Sequence, residues 1–102
     1  MKSNSNPIRD LNKIFDSRVR LGIMSALIVN DELDFKTLKT LLEVTDGNLA
    51  SHMKALEKVG YVLVKKQFVG RKPNTSYKIS GKGKTAFGQH LSALEDLIHQ
   101  KS

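Results

Sequence analysis

Two stretches of helical periodicity meet at a connection of only two residues. Residues 36–43 carry Leu38, Leu41 and Leu42 on one face, and residues 45–59 carry Leu49, Met53 and Leu56 at i, i+4 and i+7. With Val44–Thr45 as the only link, the two helices must turn sharply and bury their stripes in a shared core. Thr45 or Asp46 is placed to cap the second helix by accepting a backbone N–H bond. Gly60 follows its last turn, where a left-handed residue closes a helix.

The flanking segments follow the same logic. Ile8, Leu11, Ile14 and Phe15 predict a short amphipathic first helix, after a polar tail, residues 1–7, expected to be disordered. Asp16 or Ser17 caps a second helix with Val19, Ile23, Ala26 and Leu27 as its stripe. Leu33–Phe35 reads as a very short extended segment, with Asp34 capping the helix after it. Beyond Gly60 the pattern turns β-rich: "YVLVKKQFV" and "TSYKIS" flank the turn cluster "GRKPN". Ser80 then caps a long helix, running to about Gln100, with Phe87, Leu91, Leu94 and Ile98 along one seam. The expected fold is mostly α with a small β-hairpin: a winged helix-turn-helix with extra N- and C-terminal helices, residues 8–102 forming one domain.

Charge distinguishes one part of the chain from the rest. Residues 54–84 hold nine basic residues against one acid, Glu57, whereas the other residues hold eight basic and nine acidic. The formal net charge of +7 thus belongs to one segment, the footprint of a polyanionic partner. A solvated lysine-rich surface is the competing reading. The 102 residues contain no cysteine, which excludes disulfides, thiolate metal sites and a thiol nucleophile. "MKSNSNP" has no apolar core of a secretory signal, and the longest apolar stretch is too short to span a bilayer. A cytoplasmic protein is expected.

The 45–59 helix has an unusual outer face. Asn48, Ser51, His52 and Ala55 make it small and polar, with Asp46 the acid at its start. A helix entering the major groove of DNA needs such a face, because bulk keeps it from the bases and carboxylates are repelled by phosphate. Asn48 has the donor–acceptor pair that matches adenine N6 and N7, and Ser51 and His52 reach bases or phosphates. Gly47 allows close backbone approach; Lys54 suits phosphate. Local backbone bonding is the alternative for Asn48, and an exposed ring without a role is the alternative for His52. The 69–75 hairpin tip, with Gly70, Arg71, Lys72, Asn74 and Thr75, is the expected wing, placed on the minor groove or backbone, where arginine suits a narrow groove. Pro73 limits the loop's flexibility. Lys65 and Lys66 are adjacent on a strand and point to opposite faces.

"LASHMKALEKVGYV" followed by "GRKPNTSYKISGKGKTAF" resembles the winged-helix transcriptional regulators of the MarR/ArsR type, in particular the small stand-alone branch whose wing reads G-R-x-P-x-T. The resemblance spans residues 8–100. It implies a prokaryotic regulator that binds double-stranded DNA, usually as a homodimer, with contacts on the 46–54 segment and the 70–76 wing tip. Ser80 departs from the threonine common in such proteins. The candidate DNA-contacting set is Thr45, Asp46, Gly47, Asn48, Ser51, His52, Lys54, Gly70, Arg71, Lys72, Asn74 and Thr75, joined by Lys36 and Thr37 at the start of the preceding helix.

A domain this small has little core left to cover the distal part of the last helix. Leu91, Leu94 and Ile98, together with Ile8, Leu11 and Phe15, are therefore expected at a homodimer interface. A twofold dimer implies a palindromic site. No catalytic motif is legible: there is no G-x-S-x-G, and "SGKGK" lacks the spacing of a phosphate-binding loop. An enzyme is not expected, nor a cofactor. Glu95 or Asp96 with His99, plus a His90 from a second copy, is the sole metal arrangement conceivable, and a solvated helix end explains it better. Two other readings are an acidic protein partner for the basic segment and an RNA-binding module, the latter disfavoured because Phe68, Tyr61 and Tyr77 are expected in or beside the sheet, leaving no exposed aromatic set for stacking. The operator, and any small-molecule effector between wing and dimer helices, are not legible.

Overall fold

The computed structural model describes residues 7–99. In chain order these form α1 (Pro7–Asp10), a single 3-10 turn (Lys13–Phe15), α2 (Arg18–Ile28), β1 (Leu33–Asp34), α3 (Phe35–Leu42), α4 (Asp46–Lys58), β2 (Val62–Val69), β3 (Lys72–Ile79) and α5 (Gly81–Ile98). The three strands form one antiparallel sheet in the order β1-β3-β2. The short extended segment at Leu33 is thus the sheet's third strand, pairing Leu33 with Tyr77 and Asp34 with Ser76. Of the polar tail, Pro7 opens α1; residues 1–6 lie outside the described residues, as does Gln100.

Side-chain caps fix where the helices begin. The hydroxyl of Ser17 accepts from the Arg20 N–H, the carboxylate of Asp34 from the Thr37 N–H, and the hydroxyls of Thr45 and Ser80 from the Asn48 and Gly83 N–H groups. Each satisfies a donor that the first helical turn leaves without a partner. Gly60 ends α4 at φ 81°, as expected. Glu43 ends α3 at φ 54°. A left-handed residue there bends the chain at once, and Val44 and Thr45 complete the link into α4.

The core draws on every major element. Ile23, Met24 and Leu27 from α2, Leu38 from α3, Leu49, Met53 and Leu56 from α4, and Phe87 from α5 are buried, with Val62 and Tyr77 from the sheet. Burying a side chain of this size contributes about 1.5–3 kcal/mol, so the helix-turn-helix is held chiefly by its shared apolar face. Leu41 does not join it. At 56% exposed it lies on the outer side of α3, while Leu38 is fully buried and Leu42 half-buried.

The N-terminal segment is not one amphipathic helix. Asn12 breaks it: its side-chain oxygen accepts from the Ile14 N–H, its amide donates to the Tyr61 hydroxyl at 2.8 Å, and its backbone N–H donates to Nδ1 of His90 at 3.0 Å. This redirects Phe15 inward, against the rings of Tyr61, Phe87 and His90, leaving it 1% exposed. Phe15 therefore belongs to its own chain's core and not to a subunit interface. His90, buried and bonded to Asn12, is likewise not offered to a metal. Among the described residues no helix is long and apolar enough to cross a membrane.

Candidate nucleic-acid interface

The exposed surface of α4 comprises Asp46, Gly47, Asn48, Ala50, Ser51, Lys54, Glu57 and Lys58, while Leu49, Met53 and Leu56 face the core. At about 100° per residue, Gly47, Ser51, Lys54 and Lys58 point most directly away from the core, with Asn48 beside them. Thr45, not Asp46, is the cap, so the Asn48 side chain is not consumed in starting the helix. Asp46 is the first helical residue, and its carboxylate pairs with Lys39 of α3 at 2.8 Å. That pair offsets the negative charge at the head of α4, while the Asp46 side chain stays largely exposed.

His52 departs from expectation. The helical turn aims it back at α2, where its Nδ1 lies 2.9 Å from the Arg20 guanidinium. Partial burial, and then the Arg20 charge, hold its pKa below the usual 6.5. The neutral ring accepts from Arg20, whose Nε also donates to the Ile14 carbonyl. His52 is thus a brace between α2 and α4, and Ala55 is half-buried beside it.

The hairpin turns more tightly than "GRKPN" suggests. Its loop is Gly70–Arg71 alone, closed by the pair Val69 and Lys72, and Lys72–Asn74 already belong to β3. Gly70 has φ 66° and Arg71 does not share the positive φ, the pattern of a type II′ turn whose twist suits a β-ribbon. Pro73 sits beyond the reach of β1, so its missing N–H interrupts no ladder bond. Arg71 and Lys72 are exposed at the tip.

Strand alternation separates the two central lysines, and the surroundings show which way each goes. Lys65 turns to Glu32, 3.7 Å away. The Ser76 hydroxyl donates to that same carboxylate at 2.7 Å and, as the leading cause, holds its pKa low. Lys66 goes the other way, where it lines a groove with Thr75, Val64 and Tyr77 of the sheet and Ala50, Lys54 and Glu57 of α4. The outer flank of α4 and one face of the hairpin therefore border the same groove. A second groove links Lys36 at the start of α3 to Lys72, Asn74 and Thr75.

Asp34 links the start of α3 to the hairpin. One carboxylate oxygen caps α3 through the Thr37 N–H at 2.7 Å, and the other accepts from the Asn74 amide at 3.5 Å. The hydrogen bonds from Thr37, side chain first, hold the Asp34 carboxyl below its ordinary range. Asn74 and Thr37 thus both bond Asp34, and Thr37 stays exposed. Of the expected contacts, Thr45, Asp46, Gly47, Asn48, Ser51, Lys54, Lys36, Thr37, Gly70, Arg71 and Lys72 remain exposed, Asn74 and His52 are half-buried, and half-buried Thr75 lines both grooves.

Known proteins are similar to this chain in sequence and in fold. An uncharacterised protein of Methanocaldococcus jannaschii is 40% identical over 85 residues, 83% of this chain and 92% of its own length. A structure of a transcriptional regulator homologue from Pyrococcus horikoshii is 33% identical, covering 88% of this chain and 94% of that one, with a TM-score of 0.74. The structure of MarR, 17% identical, covers 88% of this chain and 67% of its own with a TM-score of 0.72, a likeness of fold. The family of winged helix DNA-binding domains matches residues 19–98, from the first turn of α2 to the end of α5. The turn at Glu43–Thr45, the outward face of α4 and the basic hairpin beside it are the parts that give such domains their name, and this chain belongs to that family.

Proposed function

We propose that the chain is a sequence-specific regulator of transcription that binds double-stranded DNA as a homodimer. In this reading α4 enters the major groove, with Asn48 and Ser51 toward the bases and Lys54 and Lys58 toward phosphate, while the wing at Gly70–Lys72 lies on the adjacent minor groove or backbone. The observation that carries it is the common groove of Lys54 and Lys66, which sets cations from helix and hairpin on one side of the molecule. The regulator homologue of Pyrococcus horikoshii supports the role in transcription.

The dimer is proposed from the far end of the molecule. The chain measures 58 × 24 × 21 Å, with a radius of gyration of 15.7 Å against about 13 Å for a compact domain of this length. Leu91, Leu94 and Ile98 of α5 are 47%, 40% and 79% exposed, with α1 packed against α5 and Ile8 and half-buried Leu11 nearby. A second copy covering this face would set two α4 helices on a palindromic site, roughly 34–36 Å apart.

Selection of bound duplexes from a random library tests the reading. Enrichment of an inverted repeat, with affinity falling at a log–log salt slope of about −0.9 per phosphate contact, is expected. A library that shows no enrichment over random duplex would refute it.

A further inference from the structure

The hairpin tip carries an apolar edge that none of the contacts above uses. Phe68 is 73% exposed and Val69 60%. By alternation Phe68 shares a face with Val62, Val64 and Lys66, and that face looks toward α4, since Val62 is buried and Val64 and Lys66 line the α4 groove. The residue opposite Phe68 is Pro73. Directly paired side chains lie roughly 5 Å apart at Cβ, so the two rings make one apolar edge. It stands two residues, about 7 Å, beyond Lys66 along the strand, with Arg71 and Lys72 at the turn.

The charged side chains of the hairpin itself are all cationic, the acids beside it coming from other elements, Glu57 at the Lys66 groove and Asp34 at Asn74. No acidic residue occurs in the chain between Glu57 and Glu95; Lys66 lies on the same face as the rings, with Arg71 at the turn and Lys72 on the other face of the tip. A partner that covers Phe68 must therefore meet several positive charges at the same moment. A nucleic-acid groove offers that combination: phosphates along its walls, and sugar and base surfaces between them.

We propose that Phe68, backed by Pro73, is an apolar wedge that enters the minor groove of the duplex held by α4 and partly unstacks one base step. The inference rests on the DNA-binding reading above and adds to it a contact that carries no charge and makes no hydrogen bond. Its specificity is for deformability: the wing selects a pyrimidine–purine step, TA or CA/TG, because these unstack most easily.

The test uses the full chain and the duplex it selects from a random library, with 2-aminopurine placed at the step under the wing. Wild type should raise the 2-aminopurine fluorescence on binding. Phe68→Ala should bind about tenfold more weakly, lose the step preference and the fluorescence rise, and keep its salt slope, because no phosphate contact is removed. Phe68→Leu, which retains an apolar side chain, should keep most of the affinity, and Arg71→Ala should lower the salt slope. Phe68 is exposed, so its replacement leaves the fold intact, checked by an unchanged unfolding midpoint. Phe68→Ala with wild-type affinity and step preference overturns the wedge while leaving DNA binding in place. A change of oligomeric state in Phe68→Ala, with DNA affinity unaltered, overturns it in favour of a protein contact. A wild-type chain that selects no duplex overturns the DNA-binding reading and the wedge together.

Discussion

The Arg20 guanidinium reaches Nδ1 of His52 at 2.9 Å and so joins α2 to α4, the helix proposed to read DNA. The same guanidinium holds the Ile14 carbonyl, so one side chain ties the N-terminal segment, α2 and α4 together. The bond requires His52 to be neutral at Nδ1. Its pKa is lowered by burial and by the Arg20 charge, so in the window below 6.5 the unfolded chain takes up a proton before the folded one does. Stability from His52 is therefore complete above pH 6.5 and is lost as pH falls through that value toward the lower folded one. Thermal midpoints measured from pH 7.5 to about 5 should decline more steeply for wild type than for His52→Gln, which keeps an acceptor but does not titrate. Parallel curves would contradict the brace.

Arg20→Ala should cost about 1–3 kcal/mol, because it leaves both acceptors without their donor. Urea unfolding reads this directly. Arg20→Lys should recover only part of the loss, since an ammonium lacks the fork that reaches two acceptors.

Gly83 is required by close approach. A Cβ at this position would lie 2.2 Å from the Tyr61 carbonyl oxygen, which already accepts from the Ser80 N–H at 3.0 Å. Gly83→Ala must push α5 away from β2, at a cost of about 1–3 kcal/mol in urea unfolding. Gly88→Ala, on the same helix with open space around it, should be neutral or stabilising by up to about 1 kcal/mol. Equal effects at the two sites would contradict this packing.

Glu43 bends the chain between α3 and α4 at φ 54°, a conformation that costs a side-chain-bearing residue about 1 kcal/mol. Glu43→Gly should be neutral or stabilising by up to that amount, whereas Glu43→Val should destabilise, since a branched Cβ tolerates positive φ least. The pair of unfolding curves tests whether the bend resides at this residue.

Wild type should scatter light as a dimer at micromolar concentration, and Leu94→Asp as a folded monomer, because Leu94 is exposed within its own chain. A monomeric wild type would remove the proposed subunit interface.

Much of the scaffold was legible because its signals are local. Ser17, Asp34, Thr45 and Ser80 each cap a helix through a bond to a residue three positions on, a relation that sequence displays directly. The stripe of Leu49, Met53 and Leu56 and the left-handed Gly60 follow from the same short-range rules. What was not legible depends on partners far along the chain. Phe15 is inward because Asn12 bonds to His90, 78 residues away, and His52 turns aside because Arg20, 32 residues away, meets it. Alternation placed Lys65 and Lys66 on opposite faces, but only the positions of Glu32 and α4 show that Lys66 borders the helix. Phe68 does lie in the sheet, yet it is exposed and open to stacking, contrary to expectation: a strand pattern does not say where the covered part of a hairpin ends.

The central claim is that α4 and the hairpin address one duplex together. Because the chain contains no cysteine, Ser51→Cys and Val69→Cys each provide a single attachment point for a DNA-cleaving iron chelate. On the selected duplex, cleavage from position 51 should centre in a major groove and cleavage from position 69 in the neighbouring minor groove, about half a helical turn away, in each half-site. Cleavage from one position alone, or from both at unrelated places, would contradict it.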